Sequence, residues 1–164
     1  MRPPSQPGHI ASLLDDYAAR GVFRVAAQPN RQAVEIFRLH WFRDQAMTLE
    51  LSLRRPSVRL INVVPPITPR STLDRQLRAW LAHRQSAGLP EHRRIDPAEF
   101  VLKLRRCAGQ VTLELRCGPT NFIAATETLI RLVNELYLDF LAAAERFDWV
   151  QEVFELDPDN PRWP

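Results

Sequence analysis

Apolar and polar positions along the chain fall into segments with two distinct periods. Ile10, Leu13, Leu14 and Tyr17 recur at three- and four-residue spacing, which is the apolar stripe of a helix over 10–19. Gly21 ends it. The period then drops to two. Residues 22–27 form a short β candidate, and Pro29-Asn30 marks a turn. A strand follows over 33–43, where the alternation slips: Val34 and Ile36 lie on one face, Phe37, Leu39 and Trp41 on the other. Such a slip predicts either a bulge or a strand apolar on both sides. Asp44-Gln45 reads as a hairpin turn. Residues 46–53 alternate cleanly, with Met47, Leu49, Leu51 and Leu53 inward and Thr48, Glu50 and Ser52 outward. After the turn Arg54-Arg55-Pro56, residues 57–64 form another strand.

Pro65, Pro66 and Pro69 end the run of strands, because proline has no N–H to give to a ladder. A helix starts near Ser71 or Thr72, with Leu73, Leu77, Trp80 and Leu81 on one face; Gly88 and Pro90 close it. Asp96-Pro97-Ala98-Glu99 has the cap, proline and acid order of a single helical turn. Paired strands over 99–107 and 110–117 turn at Gly109. The longest element is a helix over 120–146 with a broad apolar face from Phe122 to Ala144, and Trp149, Val150, Val153 and Phe154 extend it or form one more amphipathic helix.

Every β–β connection is short, so the fold class is α+β. A mainly antiparallel sheet of five to six strands should pack against helices in the order α-β-β-β-(β)-α-β-β-α. Proline-rich residues 1–9 read as a disordered tail, 10–156 as one domain, and 157–164, which include Trp163, as a C-terminal tail. At 164 residues with 45% apolar and 25% charged side chains, the chain can bury a substantial core.

Charge changes the picture more than composition does. Of 22 basic residues only Lys103 is lysine, which reads mainly as coding bias and secondarily as selection for guanidinium forks. Residues 54–106 hold 12 basic side chains against four acids, whereas 134–159 hold eight acids against Arg146. One explanation is that the two regions face and neutralise each other, within a subunit or across a dimer. The other is a surface for nucleic acid or an acidic chain, built from Arg54, Arg55, Arg59, Arg75 and Arg78. Phe37 and Trp41 add a candidate apolar patch if their face turns away from the helices.

Catalytic signatures are sparse. The five glycines match no phosphate-binding or dinucleotide-binding loop, and the four histidines are scattered, with no HExxH or Cys/His cluster. His40 reads as an outward strand residue before it reads as a base. Cys107 and Cys117 fall on opposite faces and opposite ends of one hairpin, roughly 20 Å apart at about 3.3 Å per residue. A disulfide needs Cα atoms within about 7 Å, so both thiols are expected to be free. No metal or cofactor is expected. Residues 1–9 carry no apolar leader core, and no run approaches the length of about 18 apolar residues needed for a membrane span, so a cytoplasmic location is expected.

The element order resembles the fold shared by type III secretion chaperones and YbjN-like proteins. The stretch Gly109–Leu115, followed by Leu129–Leu141 (LIRLVNELYLDFL) and Ala142–Phe147, is similar to the closing hairpin and helix of YbjN-like sequences. The resemblance implies a homodimer that binds an extended protein segment along its surface. This chain departs from secretion chaperones in being basic. The expectation is therefore a non-enzymatic protein-binding module, chaperone-like or regulatory. The alternative is a nucleic-acid-associated protein that uses residues 54–106.

Overall fold

The computed structural model describes residues 6–27, 34–42, 45–156 and 159. The turn at Pro29-Asn30, Asp44, residues 1–5 and Trp163 lie outside them. In chain order the elements are α1 (Gln6–Ala19), β1 (Arg24–Ala27), β2 (Val34–Trp41), β3 (Gln45–Ser52), β4 (Ser57–Ile61), α2 (Thr72–His83), β5 (Val101–Cys107), β6 (Gln110–Arg116), α3 (Phe122–Glu135) and α4 (Phe147–Val153). The six strands form one antiparallel sheet in the order β1-β2-β3-β4-β6-β5. The α+β class and the order of elements match the pattern of the sequence.

One parity of the strands faces the helices. Leu39, Met47, Leu49, Leu51, Val58, Leu60, Val111, Leu113 and Leu115 share a single buried cluster with Ile10 and Leu14 of α1, Leu77 and Leu81 of α2, and Leu129 and Val133 of α3. Burial of large aliphatic side chains at about 1.5–3 kcal/mol each is the main stabilising term. The helices thus lie on one side, and among the described residues none covers the opposite face.

Phe37 and Trp41 belong to the helix side and are buried, only 7% and 6% exposed. The apolar patch expected from them is therefore absent. The β2–β3 ladder explains why: it runs without a bulge from Val34↔Ser52 to Trp41↔Gln45, setting Phe37 beside Leu49 and Leu39 beside Met47. Residues paired across a ladder share a face, so β3 draws the aromatic side of β2 into the core. Val34 and Ile36 are left half-buried on the other face, making the strand apolar on both sides.

Several boundaries also shift. Helix α1 begins at Gln6, so Gln6–His9 are helical and not tail. Strand β3 ends at Ser52, leaving Leu53 41% exposed. Strand β4 ends at Ile61, where Asn62 takes φ 64°, although Val63 N still reaches the Val111 carbonyl at 3.1 Å. The long C-terminal helix is not continuous. Helix α3 ends at Glu135 and gives way to wide π-helical turns over Leu136–Leu141. That change coincides with Tyr137, whose hydroxyl donates to the Val63 carbonyl at 2.8 Å. Its ring stacks on Phe42 with centroids 3.8 Å apart.

Local signals hold where they are strongest. Ser71 caps α2, its Oγ accepting from Asp74 N at 3.1 Å. Asp96 Oδ1 accepts from Ala98 N at 2.9 Å, closing the single turn before β5. The β5–β6 hairpin turns on Ala108 and Gly109 at φ 50° and 79°, the positive pair of a two-residue type I′ turn. Gly109→Val would force a β-branched residue into that region, so urea titration should show a loss of about 1–2 kcal/mol.

Candidate binding face

The uncovered face of the sheet is built from the opposite strand parity. The register aligns Glu50, Arg59, Glu114 and Lys103 in one row across β3, β4, β6 and β5. Ser57 and Val101 flank Arg116, and Ile61 and Arg105 flank Thr112. With Arg24 of β1 and Arg38 of β2, the described residues of this face include six basic side chains and two carboxylates, Glu50 and Glu114.

Glu114 is the centre of the arrangement. It is 6% exposed although it lies on the helix-free side, and the long side chains around it account for the cover. Arg105 Nε donates to its Oε2 at 3.0 Å, Arg116 Nε to its Oε1 at 3.2 Å, and Arg59 Nε approaches at 4.0 Å. Arg59 also reaches Glu50 at 3.5 Å. Burial alone would push the Glu114 carboxyl up, but the hydrogen bonds and charges of Arg105, Arg116 and Arg59 outweigh it and hold the group below its ordinary value. These residues, with Ser52, Arg55, Ser57 and Cys117, line a concavity of ≈ 610 Å³. Cys117 is a free thiol that burial pushes up to about 11, so at neutral pH it stays protonated and a poor nucleophile. The Cys107 side chain lies outside the described residues.

The structure divides the arginines that the sequence groups together. Arg55 and Arg59 line the concavity, and Arg54 is exposed in the turn beside it. Arg75 and Arg78 sit on α2, on the other side of the sheet. Arg75 donates to the Arg70 carbonyl and Arg78 pairs with Asp74 at 3.3 Å. Arg105, Arg116 and Glu114 lie on one hairpin, and their meeting with Arg59 escaped sequence reading because β4 and β6 become neighbours only through the crossover by α2. Their signal is the alternation of Thr112, Glu114 and Arg116 against Val111, Leu113 and Leu115.

Part of the basic middle region does meet the acidic C-terminal region inside the chain. Buried Arg84 lies 2.8 Å from Glu135 and 3.1 Å from Asp139, and Arg93 reaches the same two carboxylates at 3.7 and 3.1 Å. The Arg84 guanidinium also stacks 4.3 Å from the Trp80 ring centroid. This pairing accounts for the helical side and leaves the sheet face basic.

A larger groove of ≈ 720 Å³ runs along α3 beside Tyr17 and the 91–100 segment. Its lining sets four carboxylates, Glu91, Asp96, Glu99 and Glu127, against Arg94 and Arg131, so its excess charge is negative and opposite to that of the arginine concavity. Among the described residues, no group of three or more His, Cys, Asp or Glu side chains is placed to hold a metal ion, and no helix is long and apolar enough to cross a membrane. Comparison with family models, with curated proteins and with solved structures found no match.

Proposed function

We propose that the chain is a non-catalytic protein-binding module that presents the helix-free face of its sheet to an acidic segment of a partner protein. The observation that carries this reading is the surplus of guanidinium groups around one buried carboxylate in the Arg55–Arg59–Arg105–Arg116 concavity. A structural ion-pair network would balance its charges, as the pairing of Arg84 and Arg93 with Glu135 and Asp139 does on the helical side. Here the positive charge is in excess, and complementary charge favours an acidic partner. Half-buried Val34, Ile36 and Ile61 on the same face supply apolar contact for an extended chain.

Nucleic acid fits the face less well. Among the described residues it presents no Phe, Tyr or Trp side chain for base stacking, since Phe37 and Trp41 point into the core. Self-association, which the resemblance to chaperones implies, belongs on the helical side in this reading. Leu138 and Phe147 are exposed there, while the basic face repels its own copy.

The test is NMR titration with an extended glutamate-rich peptide and, separately, with single-stranded DNA of equal charge. The expected result is peptide-induced shifts on β4, β5 and β6. Arg116→Ala should weaken the peptide about tenfold, since one charge-assisted hydrogen bond is worth about 1.5 kcal/mol. Shifts confined to α1–α4, or tighter binding of DNA than of peptide, would overturn the proposal.

A further inference from the structure

We infer that the concavity on the sheet face is a phosphate-binding subsite, and that the partner segment brings to it a phosphorylated serine or threonine. This rests on the binding role proposed above and narrows its ligand. Arg105 and Arg116 both engage Glu114 through Nε, at 3.0 and 3.2 Å. Arg105 Nη2 adds only a long contact of 3.4 Å to Oε1, and among the described residues the Nη groups of Arg116 have no partner. The buried carboxylate therefore acts as a strut. It fixes two guanidinium planes by their inner edges and leaves their outer donors for a ligand.

Fixing donors before the ligand arrives lowers the entropy cost of binding. A guanidinium fork suits phosphate oxygens, which can accept two parallel N–H bonds. Arg55 adds a fourth cation on the rim; it is exposed and has no ion pair among the described residues.

Charge selects among anions. Four guanidinium groups against Glu114 leave an excess of three positive charges in the concavity, and Arg59 shares part of its charge with Glu50. A carboxylate or a nucleic-acid phosphodiester neutralises one charge. A phosphomonoester carries about −1.5 to −2 at neutral pH and three acceptor oxygens, so it matches the excess more closely. Because the concavity opens on a sheet face bearing half-buried Ile61, the phosphate is read as part of an extended chain.

The experiment uses fluorescence anisotropy with three labelled peptides of one acidic sequence, identical except for phosphoserine, glutamate or serine at the central position. The phosphoserine peptide should bind at least tenfold tighter than the glutamate peptide. Arg105→Ala and Arg116→Ala should each remove that advantage. Arg55→Ala should reduce it severalfold, and because Arg55 is exposed and unpaired this variant keeps the reading independent of folding. Equal affinity for all three peptides, still weakened by Arg116→Ala, would sink the phosphate subsite and leave the acidic-segment reading standing. No binding by any of them would remove both. Inorganic phosphate binding as tightly as the phosphoserine peptide would also overturn the inference, since the site would then serve free phosphate.

Discussion

Asp74→Ala is expected to lower the stability of the fold by about 3 kcal/mol, the lower end of the cost of breaking a buried ion pair. In a domain of this size that corresponds to a fall in Tm of roughly 6–12 °C, to be read by calorimetry or by thermal unfolding followed by circular dichroism. Asp74 is 3% exposed and joins α2, the turn before it and β5. Its Oδ1 accepts from Arg106 of β5, and its Oδ2 accepts from Arg70 N at 2.9 Å and from Arg78 Nε at 3.3 Å. Its backbone N–H donates to the Ser71 cap, so its carboxylate ties the capped end of α2 to the edge strand. Removing it strands Arg106, which is only 18% exposed at its side chain. The pair with Arg78 contributes little, because that guanidinium is largely in water.

Acid should erase the same difference. Burial pushes the Asp74 carboxyl up, but the bonds from Arg106, Arg70 N and Arg78 prevail and bring it from 3.8 to about 2. A group whose folded value lies below its unfolded one stabilises the fold fully above the unfolded value, and that contribution is lost as pH falls towards the folded one. The gap between the native chain and Asp74→Ala should hold from neutral pH down to about 4, then close between pH 3.8 and about 2. A gap unchanged at pH 2 would show that helix packing, and not charge, sets the cost.

Trp41→Ala should be at least as damaging, about 3–5 kcal/mol in urea titration, the usual cost of emptying a buried aromatic site. The indole packs edge-on against Phe23 at 5.3 Å and stacks on Phe42 at 4.7 Å, which in turn lies on Tyr137. Deleting it breaks a continuous run of rings that joins α1, the sheet and the C-terminal helices. Affinity of the folded variant for the acidic peptide should stay within about twofold of the native chain, because well-separated sites act independently. A Trp41→Ala variant that keeps its stability and loses the peptide would return this residue to the role of a partner contact.

The two tryptophan roles also show what the sequence could and could not reveal. Polarity alone cannot orient a strand with Val34 and Ile36 on one side and Phe37, Leu39 and Trp41 on the other. The clean alternation of β3 does orient it once the ladder is known, because Leu49 lies opposite Phe37 and Met47 opposite Leu39. Hairpins, the helix start near Ser71 or Thr72 and the Gly109 turn were legible because their physics is local. The arginine concavity was not, since Arg59 and Glu114 meet through pairing of β4 with β6, a contact between segments far apart in the chain. Charge counting also ran together two populations. Arg75 and Arg78 share a stretch with Arg59 but project from a helix on the opposite side of the sheet. The π-helical turns at Leu136–Leu141 had no sequence signature, because they coincide with the tertiary bond between Tyr137 and Val63.

The strand order has a consequence for when the protein becomes competent during synthesis. Strands β1–β4 form a meander that can assemble as soon as they emerge, but β6 inserts beside β4 only after roughly fifty further residues have been made. Arg59 comes from the early part of the chain, and Arg105, Glu114 and Arg116 come from the late part. A nascent or truncated chain ending before β6 would thus display isolated cations and no assembled receptor. If the concavity has the binding role proposed above, capture of an acidic segment would await completion of the topology.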